Sequence, residues 1–176
     1  MAHPVLVARG GALSRTSGLG RAHHDLVDRL TVGMVPGFSL HGVVEHELEG
    51  GAAARYYRRR RGHPARVLKA VKVAKESGTR LLHISDQEQA HLVPKESPLP
   101  VSVTIHDLFH IAPRVVNLSE GPVQVGDAEV GRARRRDLEL LMEGLARADL
   151  FICISDATRT EVQQMFPDKL TAMVPH

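Results

Sequence analysis

The chain has 176 residues, 43% of them apolar, which is enough for one compact core and gives no sign of a second. Its 23 Lys and Arg against 20 Asp and Glu leave a net charge of +3, too mild to require a nucleic-acid partner, and four Phe with two Tyr offer few stacking platforms for one. The single cysteine, Cys153, excludes an internal disulfide framework and points to an intracellular setting. The opening MAHPVLVARGG is too short and too soon interrupted for a signal peptide, and no apolar run approaches the ~20 residues of a membrane span. The expectation is a soluble, cytoplasmic protein, able to touch a membrane only peripherally.

Short apolar runs alternate with longer helical patterns, the signature of strand-helix-strand units and a parallel sheet. In chain order the strands are expected at 4–9 (PVLVAR), 38–45 (FSLHGVVE), 80–85 (RLLHIS), 101–105 (VSVTI), 150–155 (LFICIS) and 170–174 (LTAMV). Helices are expected from Gly18 to about Thr31, once or twice across 51–77, from about Gly131 to Arg147, and from Asp156 to Phe166. Leu138, Leu141, Met142 and Leu145 form an apolar stripe at helical spacing in the third of these regions. Only 107–130 lacks a clear pattern, and a loop of that length in a compact domain is often functional or disordered. The fold class is therefore α/β, a single Rossmann-like, doubly wound parallel sheet.

Such sheets bind ligands outside the carboxyl ends of their strands. Four polar clusters fall there: ARGGALSRTSGLGR, SDQEQ with Asp86, HDLFH, and SDATR. Ser17 to Arg21, SGLGR, leads into a helix whose free N–H groups suit a phosphate or carboxylate. It is not a dinucleotide fingerprint, since His23 stands where a third glycine is needed and the glycines follow the strand too late. The tandem His23-His24 is expected to face solvent. Ser155 or Asp156 reads as a helix cap, although Thr158 stands where a full capping box would have Glu or Gln.

VTIHDLFHIAP delivers His106, Asp107 and His110 at a strand end. A metal site, a catalytic constellation and an ordinary strand-to-loop junction all fit that composition. Metal is the weakest reading, because a zinc-binding H-x-x-x-H pair needs a helix, and the β-branched run and Pro113 oppose one. His41, His46, His63, His83 and His91 show no companion spacing.

Taken together, SGLGR, PLPVSVTIHDLFHIAPR, RLLHISDQEQAHLVPKE and ADLFICISDATRTEV followed by PDKLTAMVPH resemble the amino-terminal domain of retaining GT-B glycosyltransferases of family 4, particularly mannosyltransferase-like members. The motifs span nearly the whole chain in the family's order. The resemblance implies a nucleotide-sugar donor as substrate, no metal or other cofactor, and a glycan or lipid-linked acceptor. Gly18, Leu19 and Gly20 would approach the donor diphosphate through backbone N–H groups, and His106 would sit against the donor sugar with Asp107 shaping the turn. Ser17, Arg21, Asp86, His110, Ser155 and Arg159 would line the cleft on the acceptor side. Ala22 stands where the family commonly has an aromatic, which bears on acceptor contacts. The family continues into a second, carboxyl-terminal domain holding most nucleotide contacts, and nothing in 1–176 corresponds to it, so this chain is expected to be one wall of the cleft and inactive alone.

One tract lies outside those motifs. From Arg55 to Lys75 the chain carries Arg58, Arg59, Arg60, Arg61, Arg66, Lys69 and Lys72 among its basic residues with no acid between. Val67, Leu68, Val71 and Ala74 give its second half an apolar side, so it reads as a basic amphipathic helix suited to an anionic membrane surface. A solvated helix packed on the sheet, or compensation by acidic neighbours such as Glu45, Glu47 and Glu49, fits as well. The rivals to an enzyme half are a non-catalytic Rossmann-like binding or regulatory module and, disfavoured by the scarcity of aromatics, a nucleic-acid-binding domain.

Overall fold

Val5, Leu6, Val7 and Ala8 are all buried. Successive strand residues face opposite sides of a sheet, so an unbroken buried run requires cover on both. A computed structural model describes residues 2–46, 50–126 and 130–174 and shows that cover. The chain runs β1 (His3–Gly11), α1 (Gly18–Thr31), β2 (Phe38–His46), α2 (Ala52–Tyr57), a π-helical turn (Arg58–Gly62) and α3 (His63–Glu76). It continues through β3 (Leu81–Ile84), a 3-10 turn (Gln87–Leu92), β4 (Val101–Ile105), β5 (Arg114–Leu118) and β6 (Gly121–Val125). The last elements are α4 (Arg132–Arg147), β7 (Leu150–Cys153), α5 (Asp156–Met165) and β8 (Leu170–Met173).

Six strands form one parallel sheet in the order β2-β1-β3-β4-β7-β8. Val5 and Val7 pack with Leu26, Val27 and Leu30 of α1, whereas Leu6 and Ala8 join the larger core with Val67, Val71 and Ala74 of α3 and Leu141 and Leu145 of α4. This is a single Rossmann-like α/β domain, as the alternation of apolar runs and helical patterns implies. Because β2 lies on one side of β1 and β3 on the other, strand order reverses between β1 and β3. Ligands of this fold class bind at that reversal.

The patternless stretch contains a separate hairpin. β5 and β6 pair antiparallel from Arg114 opposite Val125 to Leu118 opposite Gly121, and Gly121 at φ 120° and Gly126 at φ 87° take backbone angles that side chains disfavour. The fifth strand of the main sheet ends at Cys153, two residues before the expected Ser155, which instead caps α5. Glu47 and Glu49, expected to balance the basic tract, lie outside the described residues.

Candidate functional site

His106 follows directly on β4, and its backbone and side chain are tied to three neighbouring segments. Its backbone N–H donates to Gln87 Oε1 at 2.8 Å, and its Nε2 lies 3.3 Å from the Ser85 carbonyl. Its own carbonyl faces Thr158 Oγ1 at 3.5 Å, at the outer limit of a hydrogen bond. Thr158 is in turn fixed by Ser155, whose Oγ accepts from the Thr158 N–H at 3.1 Å and caps α5. The ends of β3, β4 and β7 are thereby joined at one residue, His106, chiefly through its backbone.

Beside it lies a cluster at the strand-order reversal. Ser85 Oγ is 2.8 Å from His23 Nδ1, and His23, on the second turn of α1, is buried. The expectation that the tandem histidines face solvent therefore fails for His23; His24 is half-buried, with Nε2 3.1 Å from the Leu13 carbonyl. The signal was available: Gly20, His23, Val27 and Leu30 share one helical stripe, and α1 turns that stripe to the sheet. Burial, with Arg9 and His24 nearby, pushes the His23 imidazole down to about 4. It is neutral at pH 7, so its 3.9 Å approach to Glu45 Oε2 is not an ion pair there.

Arg9 completes the cluster and carried no signal beyond closing an apolar strand. The register against β2 advances three residues from Ala8 to Gly11 while β2 advances only two, from Val44 to His46, a bulge spanning Arg9 and Gly10. Bulges re-aim side chains at strand ends. Arg9 is 3% exposed. Burial lowers its pKa, and Asp86 and Glu45 act in the opposite sense. The Asp86 carboxyl is raised by burial, against the hydrogen bond that its Oδ1 accepts from the Glu88 N–H at 2.9 Å.

The remaining predicted residues are placed less centrally. Ser17 caps α1 by accepting from the Gly20 N–H at 3.1 Å. Gly18 is open, Leu19 is 36% exposed, and a Cβ on Gly20 would lie 1.9 Å from the Ser14 carbonyl oxygen, so glycine at 20 is required by the chain's own loop. Arg21 is exposed. Asp107 Oδ1 accepts from the Phe109 N–H at 3.3 Å, a local turn contact, and His110 Nε2 meets Glu88 Oε1 at 2.6 Å across the mouth of the loop. Arg159 pairs with Asp156 at 2.8 Å on the surface of α5. Of the H-D-x-x-H run, His106 and His110 thus engage different partners. Among the described residues no three His, Cys, Asp or Glu converge as metal ligands.

The basic tract is not one uniform surface. Arg60 turns inward, pairs with Asp137 of α4 at 2.7 Å and lies over the Tyr56 ring at 4.5 Å. Arg58 and Arg59 are half-buried, whereas Arg61, Arg66, Lys69 and Lys72 are exposed. Arg66 and Lys69 rim a cleft of about 340 Å³ between α3 and the edge strand β2, floored by Leu6, Val43, Ala70 and Val73. No helix among the described residues is long and apolar enough to cross a membrane.

No protein-family model matches the chain, and no curated protein matches it significantly. The class it falls in is set by its architecture, a Rossmann-like domain with a cluster of polar residues at the carboxyl edge of its sheet.

Proposed function

We propose that this domain is the amino-terminal, acceptor-side half of a nucleotide-sugar-dependent retaining glycosyltransferase of the GT-B kind, serving hexosyl transfer, mannosyl by the resemblance, to a glycan or lipid-linked acceptor. The observation that carries the reading is His106, held by Gln87 and Ser85 and backed by Thr158, at the carboxyl edge and next to the strand-order reversal. An imidazole carried on backbone fixed at that edge, with Nε2 turned to the Ser85 carbonyl, suits recognition of a sugar hydroxyl, and Asp107 supports it indirectly by fixing the turn. The carboxyl-terminal domain of the pair would bring the nucleotide contacts and close the cleft against water. The open Gly18 and exposed Leu19 at the start of α1 leave backbone there for a diphosphate.

The test is transfer of labelled sugar by this domain joined to, or mixed with, a donor-binding domain from the same or a neighbouring reading frame. His106→Ala is expected to lower transfer about 100-fold or more while the fold, followed by circular dichroism, is kept. Absence of transfer in every such combination would leave the second reading, a non-catalytic Rossmann-like binding or regulatory module. Gly20 favours that alternative, since its close contact with Ser14 explains the glycine without any ligand.

We further propose peripheral attachment to anionic membrane through Arg61, Arg66, Lys69 and Lys72. Each exposed cation contributes about 1 kcal/mol near such a surface. Replacing Arg66 and Lys69 together by Gln is expected to weaken sedimentation with anionic vesicles roughly 30-fold, whereas Arg60→Gln, already engaged by Asp137, changes it little. Equal binding to neutral and anionic vesicles would remove the electrostatic basis.

A further inference from the structure

Buried polar groups in folded proteins are almost always hydrogen-bonded, and a buried cation is costlier still to leave unmatched. Arg9 Nε and Nη1 are both buried with no hydrogen-bond partner, and so is Glu45 Oε2. These orphaned donors and the orphaned acceptor belong to one cluster: the Arg9-Gly10 bulge lies opposite Glu45, between the pairs Ala8–Val44 and Gly11–His46, and the Ser85 N–H on the Ala8 carbonyl at 3.3 Å brings Asp86 alongside. The cluster lies at the ends of β1, β2 and β3, where strand order reverses. The bulge at Arg9 and Gly10 puts the guanidinium there.

The pattern also selects the chemistry of an occupant. A free phosphate or carboxylate matches Arg9 but would be set against Glu45 and Asp86. Nε–H and Nη1–H leave opposite edges of the guanidinium plane, so one oxygen does not serve both. A hydroxyl both donates and accepts, so neighbouring hydroxyls can accept from Arg9 while donating to Glu45. Ser85 and His23 form the adjoining wall.

We propose that Arg9, Glu45 and Asp86 form a subsite for adjacent hydroxyl groups of a polyol ring, a sugar or cyclitol, entering edge-on. The inference rests on the reading of this crevice as an acceptor wall and names the acceptor's chemistry. It makes Arg9 and Glu45 determinants of acceptor specificity, separate from His106.

The test is binding to the domain itself, read from the Arg9 Nε–H resonance in a ¹⁵N spectrum during titration with myo-inositol, methyl α-mannopyranoside and inorganic phosphate. Saturable shifts are expected with the two polyols and not with phosphate. Glu45→Gln is expected to weaken polyol binding about tenfold or more, since it removes a charge-assisted acceptor near the surface and keeps the shape. Arg9→Lys should do the same, with Glu45→Gln deciding the matter if the buried lysine unfolds the domain. Saturation by phosphate alone, no saturation by any probe, or polyol binding unaltered in Glu45→Gln overturns the subsite. Polyol binding that depends on Glu45, with no transfer in any two-domain combination, would retire the transferase and leave the subsite. Transfer whose acceptor KM is unmoved by Glu45→Gln would do the reverse.

Discussion

Replacing Gly144 by alanine is expected to destabilise the domain by about 2–4 kcal/mol, the opposite of what the same change does in an ordinary helix. Glycine inside a helix costs roughly 1 kcal/mol relative to alanine. Gly144 lies within α4, where a Cβ would fall 1.9 Å from the Ala90 carbonyl oxygen and 2.3 Å from its carbon. Both are backbone atoms of the 3-10 turn, so no side chain can swing aside and α4 must separate from the turn. That separation would open a core containing Leu145, Leu92 and Leu141. Gly62 is the control: it has αR angles, φ −63° and ψ −47°, and open space around its Cβ direction, so Gly62→Ala is expected to stabilise by about 0.5–1 kcal/mol. Urea unfolding of the two variants measures both values. The site follows the packing, because the displaced turn carries Gln87, whose Oε1 holds the His106 N–H. A Gly144→Ala domain that is as stable as its parent would mean that α4 and the turn yield freely, and that His106 is less rigidly held than its contacts imply.

The parts of this fold legible in the sequence are those written by burial. The inner strands β1, β3 and β4 announce themselves because both faces are covered, as in Val101 to Ile105, all buried, and α1 begins at Gly18 as its composition suggests. Leu141 and Leu145 of the α4 stripe are core residues, with Met142 packed against them. The β5–β6 hairpin escaped because it buries little: Val115, Leu118 and Val123 are exposed, so no two-residue alternation marks an inner face. Strand order is a long-range property, and no local pattern states that β1 lies between β2 and β3. Of the site, the strand-end clusters were legible and their wiring was not. His23 reads as a polar helix residue until Ser85 is placed opposite it. Arg9 reads as the end of a strand until the bulge turns it inward, and Arg60 looks like its three neighbours in the arginine run until Asp137, 77 residues away, engages it.

Acidification from pH 7 to 5 is expected to cost the fold several kcal/mol through histidines that the structure keeps neutral. His83 is 4% exposed, with Nδ1 2.9 Å from Ser102 Oγ and Nε2 3.2 Å from Thr104 Oγ1, and burial, followed by His23 and His106, pushes it down to about 4. His23 stands at about 4 for the reasons given above, and His91 is pushed to about 4 by burial and then by Arg59. In the unfolded chain each takes up its proton near pH 6.5. As pH falls below 6.5 the unfolded state gains protons that the folded state refuses, so stability is full above that value and declines until about pH 4. At pH 5 the loss is roughly 1–2 kcal/mol per histidine, a large part of the margin of a domain this size. Asp86 works against the trend, because its raised carboxyl takes up a proton in the folded state before the unfolded one and so recovers some stability on the acid side. Urea midpoints measured across pH 4 to 7.5 should therefore fall with acid, and His83→Gln and His23→Gln, whose amides can still meet the neighbouring hydroxyls, should each flatten the slope. Slopes unchanged in both variants would show that the acid sensitivity lies elsewhere. Flattening in His23→Gln with polyol binding intact would assign His23 to holding the wall beside Arg9 and leave the hydroxyl contacts to Arg9 and Glu45.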